Sequence, residues 1–236
     1  MRLRAITLAM LASVGFGCDR DGTRDPSTVG EEDRVRYVAL GDSYTIGTSA
    51  AESDRWPNVL AARIPELDLV ANLAVNGYTS ADLIDRELPV LDGLDAELVS
   101  VLIGVNDVVQ GVPDGVYAGN VAVILDRLLD LVPPERVVCV ATPDYTRTPR
   151  GADYGDPEAQ SDAIVRFNAI LREACESRGG AFVPEIFEIS LTVSDDPALV
   201  ASDGLHPSGE QYRRWVEVIE PLVRGLVDAG PAAPSD

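Results

Sequence analysis

Val35-Arg36-Tyr37-Val38-Ala39-Leu40-Gly41-Asp42-Ser43 opens with a nearly unbroken apolar run and closes on glycine, aspartate and serine. A short run without polar alternation predicts a strand buried on both faces, the habit of parallel sheets. A glycine at its end permits a sharp turn, and the serine then stands where the chain leaves the sheet. Residues 35–40 are the first of five such runs, the others being 69–75, 98–103, 136–142 and 181–187.

Amphipathic segments alternate with these runs. Residues 54–64, 79–91, 116–131, 157–178 and 208–228 read as helices. Thr79 with Asp82, and Ser208 with Gln211, have capping-box spacing. Pro157 suits the first helical position, and Gly179-Gly180 a helix stop. Strand–helix alternation repeated five times predicts an α/β fold, a three-layer α/β/α sandwich on a five-stranded parallel sheet. Ligands of such folds bind at the carboxyl ends of the strands. Ser43, Gly77, Asn106 and Asp144 each follow a predicted strand, and His206 follows the last one after a longer loop. All therefore fall on one sheet edge.

The 236 residues suffice for one sizeable core rather than two domains. Nineteen basic against 39 acidic residues give a formal charge of −20, which argues against a nucleic-acid partner. Every basic residue is arginine. The absence of lysine excludes a P-loop lysine, a Schiff base and a Ser–Lys dyad. One histidine and three scattered cysteines argue against a zinc site, so no metal or other cofactor is expected.

At the N-terminus, Arg2 and Arg4 precede an apolar run from Ala5 to Phe16, too short to span a bilayer as a helix, and then Gly17-Cys18. Residues 1–17 read as a signal peptide and 18–34 as a disordered tether. The junction resembles a bacterial lipoprotein signal, which implies lipidation of Cys18; ordinary secretion is the alternative, and lipoprotein signals usually carry leucine where Gly15 stands. Membrane association is expected only through such an anchor. The folded domain is expected over 35–229, followed by a loose tail at 230–236. Cys139 and Cys175 read first as buried thiols, with pairing the alternative in an oxidising compartment.

Taken singly, the polar motifs are ambiguous. Gly41-Asp42-Ser43 is also a good helix cap, and a side-chain amide at Asn106 or a backbone N–H at Gly77 also suits a plain turn. Asp203-Gly204-Leu205-His206 places a carboxylate three residues before the only histidine, as a base and its orienting acid require, but His206-Pro207 is also a turn signal. In order and placement, however, the blocks around Ser43, Gly77, Asn106 and Asp203/His206 resemble the SGNH/GDSL hydrolase family, over roughly residues 35–227.

That resemblance implies a flavodoxin-like fold and hydrolysis of carboxylic esters through an acyl-enzyme. It makes Ser43 the nucleophile, His206 the general base and Asp203 its orienting carboxylate. The N–H groups of Ser43 and Gly77 and the Asn106 side chain become the oxyanion hole. Asp42 and Asp107 are assigned to holding their turns. Two readings compete: acyl transfer from the same acyl-enzyme, and an exported carbohydrate-binding lipoprotein without catalysis. No long apolar insertion suggests a lid, so small-molecule, short-chain or carbohydrate-linked esters are the expected substrates. Tyr44, Tyr78, Tyr145 and Tyr154 line the site or simply pack, Trp56 is expected in the core, and residues 147–157 form a flap or an ordinary loop.

Overall fold

A computed structural model describes residues 34–229. The expected signal peptide at 1–17, the expected tether up to residue 33, Cys18 and the expected tail at 230–236 lie outside the described residues. Five strands, β1 (Val35–Gly41), β2 (Leu67–Asn72), β3 (Leu98–Leu102), β4 (Val137–Val140) and β5 (Ala181–Val183), form one sheet in the order β2-β1-β3-β4-β5. Every pairing is parallel, as expected. Because β1 and β3 are neighbours whose following helices leave in opposite directions, the crevice of this doubly wound sheet opens above their carboxyl ends.

The helices follow from apolar spacing. On one face α2 (Trp56–Arg63) packs on α9 (Gly209–Asp228), with α8 (Glu185–Leu191) beside α9. On the other, α6 (Asp114–Leu129) packs on α7 (Pro157–Glu176). There too lie α3 (Ser80–Asp82), a π-helical turn (Leu83–Glu87) and α4 (Leu88–Leu91), which occupy the stretch predicted as one helix. Two short helices, α1 (Ser43–Ile46) and α5 (Val105–Val109), start directly at the ends of β1 and β3. Trp56 is fully buried, as expected.

Several sequence expectations are corrected. The fifth strand ends at Val183, because Pro184 has no N–H for the ladder and Glu185–Leu191 turns into α8. The second strand starts at Leu67, ends at Asn72 and is only half-buried, since it forms a sheet edge; the chain beyond it still bonds to β1 through Leu73 N to Ala39 O. The Thr79–Asp82 capping box forms in full, but the one at Ser208 does not. Ser208 Oγ accepts from Gln211 N, while the backbone N–H of Ser208 already donates to Leu199 O, leaving Gln211 nothing to cap. Cys139 on β4 and Cys175 on α7 are joined in a disulfide, with Cα atoms 6.6 Å apart, rather than packing as separate thiols. The reason is that α7 lies directly over β4.

Candidate active site

The first strand delivers Ser43 through a turn that only glycine permits. Gly41 has φ 147°, and a Cβ there would stand 2.2 Å from the Leu102 carbonyl oxygen of β3. Asp42 caps α1, its Oδ1 accepting from Tyr44 N at 3.0 Å. Burial pushes the Asp42 carboxyl up to about 8, against the Tyr44 amide bond. Behind it Glu87 Oε2 accepts from Gly41 N at 2.9 Å, and burial pushes this carboxyl up to about 9. The turn below Ser43 is thus built on two acids that stay largely protonated at neutral pH, which keeps negative charge away from the serine.

The Asn76–Gly77 turn is closed by Tyr78 N donating to Val75 O. Gly77 has φ 81°, and the space beside it is open, so it is the backbone conformation that favours glycine here. Asn106, in the first turn of α5, donates one N–H of its amide to Tyr78 O at 2.9 Å, leaving the second available. Asp107 does more than hold its own turn, the role expected of it. Its buried carboxylate accepts from the backbone N–H of Ser80 at 2.8 Å and from the Ser80 hydroxyl, clamping α5 to the loop that carries Gly77.

The histidine loop is organised by Asp203. Its Oδ1 accepts from the N–H groups of Leu205 and His206 at 2.9 and 3.0 Å, and its Oδ2 lies 2.6 Å from His206 Nδ1. Burial opposes ionisation of Asp203, but bonds from the His206 ring, the His206 and Leu205 amides and Ser49 outweigh it and hold the carboxyl well below the usual carboxylate range. An ionised acceptor at Nδ1 makes that nitrogen the protonated one in the neutral ring and leaves Nε2 as the acceptor. Gly204, with φ 75°, completes the turn, and Ala201 N donates to His206 O.

Ser43, Gly77, Asn106 and His206, predicted from four separate stretches, line one cleft of about 220 Å³, with Asp203 behind His206. Of the aromatic candidates, Tyr44, Tyr145 and Tyr154 line it and Tyr78 does not. Val105, Val109 and Leu205 supply apolar wall. The stretch 147–157 is a strap rather than a free flap: Arg150 N donates to Gly204 O, and Tyr154 packs edge-on against Tyr145 at 5.9 Å. Asp144 anchors the neighbouring loop, accepting from Thr146 and from Ser161 Oγ.

Two contributors were missed by sequence reasoning. Glu87 carries a faint signal, a charged residue four positions after Leu83 on an otherwise apolar helical stripe. Ser49, whose hydroxyl reaches Asp203 Oδ2 at 2.7 Å, carries none.

A doubly wound parallel sheet in the order β2-β1-β3-β4-β5, with this cleft at its switch point, defines a flavodoxin-like three-layer α/β/α architecture. The chain belongs to the GDSL-like lipase/acylhydrolase family, as a carboxylic ester hydrolase: the family's model matches residues 39–214. An arylesterase of Vibrio mimicus is 25% identical over 196 residues, covering 81% of this chain and 90% of its own. The fold is shared with TesA, at TM-score 0.64 and 21% identity, covering 81% of this chain and 99% of the other. It is shared also with an acetylxylan esterase, Axe2 of Geobacillus stearothermophilus, at TM-score 0.61 and 15% identity, covering 86% and 97%.

Proposed function

We propose that the protein hydrolyses short-chain or carbohydrate-linked carboxylic esters through an acyl-enzyme on Ser43. The observation that carries this reading is the convergence of Ser43, Gly77, Asn106 and an Asp203-bonded His206 on one cleft. His206 Nε2 takes the Ser43 proton as Oγ attacks the ester carbonyl carbon. The Ser43 and Gly77 N–H groups and the free Asn106 N–H stabilise the tetrahedral oxyanion. As the C–O bond to the leaving group breaks, His206 returns the proton to the departing alkoxide. Water then attacks the acyl-enzyme, gives its proton to His206 and releases the acid, and Ser43 recovers its proton.

A cavity of about 220 Å³ is below the span of about 300–1,000 Å³ usual for drug-sized ligands, which favours a small acyl group. The tyrosine-lined wall suits an aryl or sugar ring, and the similarity to an arylesterase supports aryl esters as assay substrates.

Export belongs to the same proposal, with residues 1–17 as signal peptide and Cys18 as the lipidated residue. The buried Cys139–Cys175 disulfide supports an oxidising destination. Among the described residues no helix is long and apolar enough to cross a membrane. A fluorophosphonate probe should label the folded protein and leave Ser43→Ala unlabelled. Hydrolysis of a chain-length series of aryl esters and of acetylated sugars should then rank the acyl groups. An unlabelled but folded parent protein overturns the nucleophile assignment, and ester products formed with added alcohols would show acyl transfer instead.

A further inference from the structure

The chain leaving α1 carries two residues in the left-handed region within three positions. Gly47 has φ 73°, where glycine is at ease, and Ser49 has φ 64°, where it is not. A side-chain-bearing residue held there is disfavoured, so surrounding contacts must fix it. The contact at Ser49 is specific. Its hydroxyl donates to Asp203 Oδ2 at 2.7 Å, across 154 residues of sequence. The same oxygen faces His206 Nδ1 at 2.6 Å. Next to it, Thr48 Oγ1 donates to the Asn76 side-chain oxygen, beside Gly77. The segment Gly47-Thr48-Ser49 therefore bridges from the helix of Ser43 to the Gly77 turn on one side and to the histidine loop on the other.

We propose that Ser49 is a positioning residue that acts on His206 through Asp203: its hydroxyl fixes Asp203 Oδ2 and draws off part of that oxygen's charge, so it sets how strongly a proton on His206 is held. The catalytic meaning of this role rests on the reading of His206 as general base. An oxygen that accepts two hydrogen bonds offers each donor less than an oxygen that accepts one. Loss of the Ser49 hydroxyl concentrates the carboxylate charge on the ring, stabilises the imidazolium and raises the pH at which His206 deprotonates. The other groups facing the pair are few. Arg150 packs along Gly204 and acts electrostatically with Asp203, the Tyr212 hydroxyl approaches from α9, and the Tyr44 ring lies 5.6 Å from the imidazole. None of them is the partner of the Ser49 hydroxyl, which donates to Asp203.

His206 is the only histidine, so one imidazole signal in the NMR spectrum of the untagged full chain reports its titration without reference to activity. Ser49→Gly removes the hydroxyl and accepts the positive φ; Ser49→Ala removes the hydroxyl and keeps the strain. Both should raise the His206 midpoint by about 0.5–1 pH unit, the shift expected from losing part of one charge-assisted hydrogen bond. Only Ser49→Ala should also melt earlier. A midpoint unchanged in both variants overturns the proposal, whatever happens to stability. The acid limb of kcat/KM on an aryl ester should move with the midpoint. A moved midpoint with an unmoved acid limb keeps the coupling through Asp203 and sinks instead the assignment of His206 as the base.

Discussion

At the scale of single residues, the proposed oxyanion donors differ in how replaceable they are. Asn106 has one N–H committed to Tyr78 O and one free, while Ser43 and Gly77 would contribute backbone groups that no side-chain change removes. Asn106→Ala should therefore lower kcat by about 10²–10³, or about 2.7–4 kcal/mol, with little change in KM, because the lost bond is made in the transition state. Single-substrate kinetics checks this, and a pure rise in KM would assign Asn106 to ground-state binding. Their places at strand ends were legible in the sequence, but each motif alone also suited a plain turn or cap, and their roles came only from the family resemblance. Asp203 and His206 were legible because three residues in a turn let one side chain bond the other. Glu87 and Ser49 were not, since their bonds to Gly41 N and Asp203 cross 46 and 154 residues with no local pattern to announce them.

Among elements, the five strands and the long helices could be read from apolar runs and spacing, because burial on both faces leaves little room for polar residues. Strand order could not, and it is the β1–β3 adjacency that opens the cleft. The short helix α1 was announced only by its cap, while α5, too short for periodicity, was hidden, as was α8, whose Ile186-Phe187 start reads as strand until Pro184 is weighed. Cys139–Cys175 ties β4 to α7, and sequence could not judge that distance. The bridge closes a loop of 36 residues' separation, which chain-entropy reasoning puts at about 3–4 kcal/mol. Cys175→Ser should lower the unfolding free energy by about that amount while leaving the cleft's hydrolysis rate at moderate temperature nearly unchanged, since neither sulfur lines it. Urea unfolding of parent and variant measures it; equal stability would mean that strain offsets the constraint.

For the whole molecule, pH should act in an unusual direction. Asp42 and Glu87, carboxyls with ordinary values of 3.8 and 4.5, are pushed to about 8 and about 9 in the folded state. Between those limits the folded chain binds more protons than the unfolded one, so these groups stabilise the fold fully below about pH 4 and lose that contribution as pH rises toward 9. Asp203, Asp82 and Glu220, held low by hydrogen bonds and arginines, act oppositely and lose their contribution as pH falls. A formal charge of −20 adds self-repulsion that grows as carboxyls ionise. Stability should therefore peak on the acid side of neutrality and fall steadily toward pH 9, read as the urea midpoint across a pH series. Added salt separates the two causes, because it screens surface repulsion and leaves buried carboxyls almost untouched. Glu87→Gln separates them further. Glutamine keeps an oxygen for Gly41 N but cannot titrate, so the variant should lie within about 1 kcal/mol of the parent near pH 5 and exceed it near pH 9. Glu87→Ala, which also cannot titrate but leaves that buried N–H unpaired, should lie about 1–3 kcal/mol below Glu87→Gln at either pH. A Glu87→Gln profile parallel to the parent's in high salt would locate the alkaline loss elsewhere than at Glu87, with Asp42 the remaining titrating acid beneath Ser43.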